Sequence, residues 1–380
     1  MLKPFNKPYL TGNETQYIQD AVLSGKISGN GKYTQKCQDF FEQKYGFKKA
    51  LLTTSCTDAL EMCAILANLK EGDEVIVPSF TFVSTAIAFI RQGATIVFAD
   101  SYADNPNIDA EAIEALITPR TKAIVPVHYA GVACDMDKIM ALAAKYNLLV
   151  IEDAAQAIDS FYTSKDGSIK ALGSIGHLAA FSFHETKNVI SGEGGMLAIN
   201  DEKFIHRSEI IWEKGTNRAE FFRGEINKYG WVDTGSSFLP SEIIAAFLWA
   251  QIENLEAIQQ KRIQLWNAYF EGIKDVNQSS ILLPKVPNYA TNNGHMFYIN
   301  LENIQQRDVL IQLLKENGYQ SVFHYISLHS STYYLDKHDG RELPNSDTFT
   351  NTLLRLPMYY ELEFKDIETI VATIRKFQQL

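Results

Sequence analysis

Between Ala50 and Ile151, short and almost purely apolar segments alternate with helical ones, and that beat limits the chain to few architectures. The apolar segments are Ala50–Leu52, Glu74–Val77, Thr95–Ala99, Ala123–Val127 and Leu148–Ile151. Without polar alternation, neither face of such a strand suits water, so each reads as covered on both sides. Helices are expected between them: one with apolar or small positions at Leu60, Cys63, Ala64 and Ala67, then Thr85–Gln92, Ala110–Leu116 and Met136–Tyr146. Strands and helices in alternation make an α/β domain with a mostly parallel sheet. Ser79, Asp100, His128 and Asp153, just past strand ends, then lie along the edge where such sheets bind ligands.

Two helices, Glu14–Leu23 and Tyr33–Tyr45, precede this region. A long amphipathic helix is expected from Ser241 to Gln264 and on towards Ile273, before Pro284 and Pro287 interrupt the pattern. The remainder reads as a smaller α+β unit, with Met296–Ile299, a helix at Arg307–Asn317, Val322–Phe323 and a last helix at Phe364–Phe377. The expected division is a large domain over 1–255 and a small one over 256–380.

Charge narrows the partners. A formal net charge of -10 with no long basic block argues against a nucleic-acid backbone. No stretch approaches the length of a membrane span and the N-terminus has no apolar leader, so a cytoplasmic protein without membrane insertion is expected. Cys37, Cys56, Cys63 and Cys134 are scattered without a CxxC, which suits free thiols. Histidines 324 and 329 lack a third partner for a metal, and no metal is expected.

Gly29-Asn30-Gly31-Lys32 resembles part of a nucleotide loop, but no strand precedes it, Lys32 is followed by Tyr33, and Lys26 stands where the first glycine belongs. It reads as a plain turn. Ser55 followed by Asp58 fits a capping box, and the N–H groups of Cys56 and Thr57 at the same helix start suit an anion such as phosphate. Asp153 ends the most apolar strand, so its carboxylate needs a partner, either structural or a protonated heteroaromatic nitrogen. Gln156 is placed to meet a phenolic oxygen or to cap the chain. Phe80 reads as core, whereas Phe82 at a loop mouth suits stacking on a planar ligand.

Lys187 lies in Phe181-Ser182-Phe183-His184-Glu185-Thr186-Lys187-Asn188, ahead of the glycine-rich Ser191-Gly192-Glu193-Gly194-Gly195. Taken alone it is as consistent with a snorkelling lysine as with a reactive one. Combined with a phosphate cup, a ring carboxylate and an aromatic plate, it is what a pyridoxal 5′-phosphate (PLP) enzyme requires: an amine that forms a Schiff base and moves a proton.

With these segments, and with Pro126-Val127-His128-Tyr129-Ala130-Gly131 and Glu213-Lys214-Gly215-Thr216-Asn217-Arg218, the chain resembles the DegT/DnrJ/EryC1/StrS sugar aminotransferases of PLP fold type I over essentially its whole length. Within that family it looks most like the transaminases that form dTDP-4-amino-4,6-dideoxygalactose for enterobacterial common antigen. The resemblance implies Lys187 as the catalytic lysine, Asp153 on the pyridine nitrogen, Gln156 on the ring oxygen O3′ and Phe82 stacked on the ring. Ser55, Cys56, Thr57 and Ser182 are implied for the 5′-phosphate. It further implies a homodimer with interface sites, acting on a nucleotide sugar and L-glutamate, in which the stretch from Lys214 through Arg218 to Tyr229 approaches the partner's nucleotide. His184, His324 and His329 are implied around the substrate. Many relatives carry Gly-x-Asn-x-Arg-Met before the long helix, where this chain has Gly235-Ser236-Ser237-Phe238-Leu239-Pro240. On this resemblance, the contact with the partner's cofactor phosphate at Ser237 is expected to be weaker, water-bridged or supplied elsewhere. The rivals are formation of the C4 epimer, dTDP-4-amino-4,6-dideoxy-D-glucose, a sugar 3-aminotransferase, a 3-dehydratase, disfavoured because those enzymes carry histidine in place of the lysine, and a non-catalytic protein of the same fold.

Overall fold

The computed structural model describes residues 2–276 and 281–378. Its main sheet has seven strands: β1 (Lys49–Thr53), β2 (Glu74–Pro78), β3 (Thr95–Ala99), β4 (Thr121–Ile124), β5 (Leu149–Asp153), β8 (Leu178–Ser182) and β9 (Gly195–Ile199). The short pair β6 (Phe161–Thr163) and β7 (Ile169–Ala171) forms a separate ribbon. The order across the main sheet is β1-β9-β8-β5-β4-β2-β3. Only β9 runs against its neighbours, pairing antiparallel with β1 and β8, so the sheet is mostly parallel as expected.

Alternate residues of these strands enter two different cores. Ala50, Leu52, Ile76, Ile124, Val150 and Phe181 meet α2 (Lys32–Tyr45), α5 (Met136–Tyr146) and α8 (Glu242–Ile252). Leu51, Val75, Val77, Ala123, Ile151 and Ala180 meet α3 (Cys56–Leu66), α4 (Ser84–Ile90) and α6 (Ile205–Trp212). Burial on both faces is why the strands show no polar alternation. α1 (Glu14–Leu23) packs on α8, and the five-residue α7 (Arg218–Phe222) follows α6.

The rest of the chain forms a second sheet, β10 (Ile281–Leu282), β11 (Phe297–Leu301) and β12 (Leu353–Leu356), in that order and antiparallel. A third apolar cluster joins it to α9 (Leu255–Ile273), α10 (Ile304–Glu316) and α12 (Phe364–Phe377). α11 (Pro344–Thr352) leads into β12.

Two helix expectations are corrected. Ala110–Leu116 holds only a 3-10 turn at Glu114–Leu116. Asp109 draws the chain into a turn by accepting from the Glu111 N–H, and Pro119 biases Thr118 away from helix, so too few residues remain to close an α-helix. The single long helix breaks at Glu253-Asn254 into α8 and α9. There the Asn254 side chain donates to the Ala250 carbonyl at 3.0 Å, and Glu253 is drawn to the Tyr17 hydroxyl and the Trp249 indole. A side chain that competes for its own helix's carbonyls is a recognised way to interrupt it. Val322 makes only an isolated bridge with Arg355.

The plain-turn reading of Gly29–Lys32 holds. Glu242 fills the start of α2, accepting from the N–H groups of Gly31 (2.8 Å), Tyr33 (2.7 Å) and Thr34 (3.1 Å). A carboxylate of the chain itself thus stands where a phosphate would otherwise sit.

Candidate active site

Three strand ends and one loop converge at the carboxyl edge of the main sheet. After β1, Ser55 takes an extended conformation and its Oγ accepts from the Asp58 N–H at 3.1 Å, capping α3. The N–H groups of Cys56 and Thr57, next in the same helix start, donate to no described residue. The Thr57 hydroxyl lies 2.8 Å from that of Ser84. An open helix N-terminus with adjacent hydroxyls is an anion site.

Asp153 ends β5 almost fully buried. Its Oδ2 accepts from the Thr85 hydroxyl at 2.7 Å and its Oδ1 from the Ala155 N–H at 3.1 Å. Burial raises its pKa; the Thr85 and Ala155 bonds and the nearby Lys187 amine pull the other way. A cation beside it would favour the charged carboxylate. Gln156 follows in a turn rather than a helix, its Oε1 accepting from the Ala130 N–H at 2.6 Å and its Nε2 donating to the Tyr325 hydroxyl at 3.1 Å.

Lys187 sits in the loop joining β8 to β9. Backbone bonds close that loop, Phe183 N–H to Gly194 O at 2.8 Å and Glu185 N–H to Gly192 O at 2.9 Å, with Gly192 supplying the left-handed turn at φ 81°. Asn188 pins it from below: its Nδ2 donates to Gln259 Oε1 (2.8 Å) and the Asn293 carbonyl (2.9 Å), and its Oδ1 meets His295 Nδ1 at 2.9 Å. The next side chain along, Lys187, has no hydrogen bond or salt bridge among the described residues. Burial lowers its pKa, opposed by Cys56 and Asp153 and assisted by Arg355. An amine so placed yields its neutral, nucleophilic form more readily than a surface lysine.

These groups line one cavity of 430 Å³, together with Ser182, His184 and His324. Phe82, 54 % exposed, forms a wall at its mouth, while Phe80 is core. Two free helix N–H groups, a buried carboxylate, an aromatic wall and an unpaired amine match the phosphate, ring nitrogen, ring face and aldehyde of PLP in turn. The residues fit the cofactor.

Five of the expected residues lie outside this cavity. Lys214, Arg218 and Ser237 line a separate groove of 750 Å³ that shares no lining residue with the Lys187 cavity. Tyr229 is exposed beside them, under the Arg218 guanidinium at 6.0 Å. His329 does not line the Lys187 cavity either. A 3-10 turn at Leu328–Ser330 folds it beneath the end of β2, where its Nδ1 lies 2.7 Å from Ser79 Oγ and its Nε2 faces Asp347 at 3.5 Å. His324 does reach the cavity. Burial, then the Arg355 charge, lowers its pKa to about 4, and its Nδ1 is 3.0 Å from Arg355 Nη1.

Arg355, Tyr325, Thr85 and His295 are cavity residues that the sequence reading missed. For Arg355 a signal existed: a single charge inside Leu353-Leu354-Arg355-Leu356, the same kind of anomaly that marks Lys187.

A mostly parallel α/β sheet whose carboxyl edge presents this lysine, carboxylate and phosphate cup defines a PLP-dependent aminotransferase. The profile of the DegT/DnrJ/EryC1/StrS aminotransferase family matches residues 8–375, and the chain belongs to that family. It is 31% identical to the spore coat polysaccharide biosynthesis protein SpsC of Bacillus subtilis, over 98% of this chain and 96% of that one. Among solved structures, the putative sugar aminotransferase Spr1654 of Streptococcus pneumoniae in its PMP-form superposes with a TM-score of 0.89 at 25% identity, covering 100% of this chain and 98% of that one. DesV of S. venezuelae, in complex with a ketimine intermediate, gives 0.88 at 27% identity, covering 97% and 95%.

One test of the cup lies in its neighbour. A Cβ built on Gly195 in β9 would fall 2.4 Å from the Ser55 carbonyl carbon and 2.5 Å from the Cys56 nitrogen. Gly195→Ala is therefore expected to displace the Ser55–Cys56 turn, lowering stability by about 1–3 kcal/mol and weakening PLP binding. Thermal unfolding with and without PLP checks this; a lower midpoint with undiminished PLP affinity would detach that turn from the cofactor.

Proposed function

We propose that the protein transfers the amino group of L-glutamate to C4 of dTDP-4-dehydro-6-deoxy-D-glucose, giving dTDP-4-amino-4,6-dideoxy-D-galactose and 2-oxoglutarate. The observation that carries the transamination is the unpaired Lys187 amine in one cavity with Asp153 and the open start of α3. The choice of C4 rests on the run His184-Glu185-Thr186-Lys187-Asn188, which looks like that of the 4-amino group.

Bound in this cavity, PLP supplies an electron sink for the carbon that loses or gains the amine. Ser55, Cys56, Thr57 and Ser182 would hold its phosphate, Asp153 would keep its ring nitrogen charged, Gln156 would meet its ring oxygen and Phe82 would stack on the ring. Lys187 removes the proton from Cα of glutamate, and in the second half delivers one to C4 of the sugar. The loop bonds at Gly192, Gly194 and Asn188 hold the lysine nearly fixed, so the face of C4 it protonates follows from how the nucleotide and sugar are seated. His184 and His324 border that space.

In this reading the enzyme is a cytoplasmic homodimer, the 1–255 unit holding the cofactor and the 256–380 unit closing over the substrate. Lys214, Arg218, Tyr229 and Ser237, in their separate groove, then serve the second copy's nucleotide and phosphate. The part of SpsC in spore coat polysaccharide biosynthesis is compatible with an aminosugar product. The test is the proton NMR spectrum of the product formed from the dTDP-4-keto sugar and glutamate. The C4 proton couplings of an axial amine are expected; an equatorial amine identifies the gluco epimer, and an amine at C3 rejects the regiochemistry.

A further inference from the structure

Glu152 and Asp153 are neighbouring buried carboxylates at the end of β5, yet their surroundings differ. Glu152 accepts from the N–H groups of Gly173 (2.7 Å), Ile175 (2.8 Å) and Gly176 (2.5 Å), and from His128 Nε2 at 2.9 Å. His128 Nδ1 accepts from the Cys134 N–H, so Nε2 carries the ring proton. Four donors fill the lone pairs of that carboxylate. Asp153 has two among the described residues, the Ala155 N–H on Oδ1 and the Thr85 hydroxyl on Oδ2, and it faces the Lys187 cavity with acceptor capacity left.

The Thr85 bond does not stand alone. Thr85 and Thr81 are both buried, and their hydroxyl oxygens are 3.0 Å apart. An ionised carboxylate only accepts, so Thr85 directs its single proton to Asp153 Oδ2 at 2.7 Å, and Thr81 must then donate to Thr85. The two hydroxyls form a relay of one polarity that ends on the carboxylate, and in a low-dielectric interior each bond strengthens the next. The backbone holds the relay in place: the Thr81 N–H donates to Ser79 O and the Thr85 N–H to Phe82 O, each at 3.1 Å. Phe80 anchors the same turn by packing on Tyr129, Tyr325 and Phe349. One turn therefore sets Phe82 at the cavity mouth and Thr85 against Asp153.

We infer that Thr85, with Thr81 behind it, is a positioning residue that orients the Asp153 carboxylate and keeps its negative charge available to the ring nitrogen of the cofactor. The inference rests on the PLP reading of the cavity. The effect of Thr85 passes through Asp153 rather than through a reacting atom. Without the relay, Asp153 keeps one backbone donor, and its burial favours the neutral acid. A neutral acid no longer holds the ring nitrogen protonated, which weakens the electron sink in both halves of the reaction.

The experiment compares the PLP-loaded wild type with Thr85→Val, Thr85→Ser and Thr81→Val, and places Thr85→Val also in an Asp153→Asn background. Valine keeps the shape of threonine without the hydroxyl. Thr85→Val is expected to lower turnover about tenfold, the order for one hydrogen bond to a charged group, while Thr85→Ser stays within about twofold of the wild type. In the Asp153→Asn background the same change should lower turnover no further, because the charge it serves is gone. The NMR signal of the isotope-labelled ring nitrogen of bound PLP should move in Thr85→Val towards its position in Asp153→Asn, and in Thr81→Val the same way by less. Equal losses in both backgrounds, or an unmoved ring signal in Thr85→Val, overturn the inference. Thermal midpoints and cofactor uptake report folding; if Thr85→Val does not fold, an unmoved ring signal in Thr81→Val overturns it instead. Infrared difference spectra of the cofactor-free protein against Asp153→Asn read the carboxyl directly, and Thr85→Val should enlarge its acid band at the expense of its carboxylate band. Unchanged bands also overturn the inference. Failure of the wild type to bind PLP would reject the cofactor reading instead, while the infrared bands still read Thr85.

Discussion

Replacing Lys187 by alanine is expected to lower turnover at least about 10⁴-fold while leaving the fold intact, because in the proposed mechanism one side chain serves as both covalent holder and proton carrier. The loop around it depends on backbone bonds and on Asn188, and the lysine side chain makes no bond whose loss would unfold it. The wild type should be yellow with PLP, and borohydride should make the attachment permanent at Lys187, seen as a mass increase on the peptide containing it. In Lys187→Ala, dialysis should remove the cofactor after the same treatment. Active, cofactor-loaded protein with an unmodified Lys187 would falsify the assignment.

Asp153→Asn is expected to slow transamination about 1,000-fold, the equivalent of about 4 kcal/mol, the order seen when one partner of a buried ion pair is removed. Asparagine is nearly isosteric. Its carbonyl can still accept from the Ala155 N–H, and the Thr85 hydroxyl, already 3.0 Å from Thr81 Oγ1, can turn from donor to acceptor. Stability should therefore change little, and the loss should appear in the proton-transfer steps of both halves. The sign of the charge argument is also testable. Burial raises the Asp153 pKa in the protein alone, and a protonated ring nitrogen beside it should lower that pKa, so the proton balance of PLP binding should differ between the wild type and Asp153→Asn. PLP titrations in buffers of different ionisation enthalpy measure that difference. Near-normal turnover in Asp153→Asn, with PLP bound, rejects the ring-nitrogen role.

Both residues were legible because each is a chemical anomaly in its local setting. A carboxylate at the end of an apolar strand and an amine beside a glycine-rich turn need partners that local structure cannot supply. The same logic fitted Ser55, whose spacing to Asp58 is a cap in the structure. It was less reliable where neighbours in space decide. Ala110–Leu116 had the composition of a helix but not the room for one between Asp109 and Pro119. His329 looked equivalent to His324 until the turn at Leu328–Ser330 directed one towards Ser79 and left the other on Arg355. Thr85 and Tyr325 carry no sequence mark, because hydroxyls are common and their value here comes only from meeting Asp153 and Gln156.

By itself, the sequence determined the buried parallel strands, the ligand edge along their ends, and the lysine, carboxylate and helix start that a PLP enzyme needs. Those follow from burial and backbone geometry, which act over a few residues. Only the tertiary structure decided that Asp153 and Lys187 line one cavity, that Lys214, Arg218 and Ser237 line another, and that Arg355 enters the first with an edge unpaired. The physical reason is separation along the chain. Desolvation and charge act through space, and β12 brings Arg355 to Lys187 across a distance in sequence that no local pattern records.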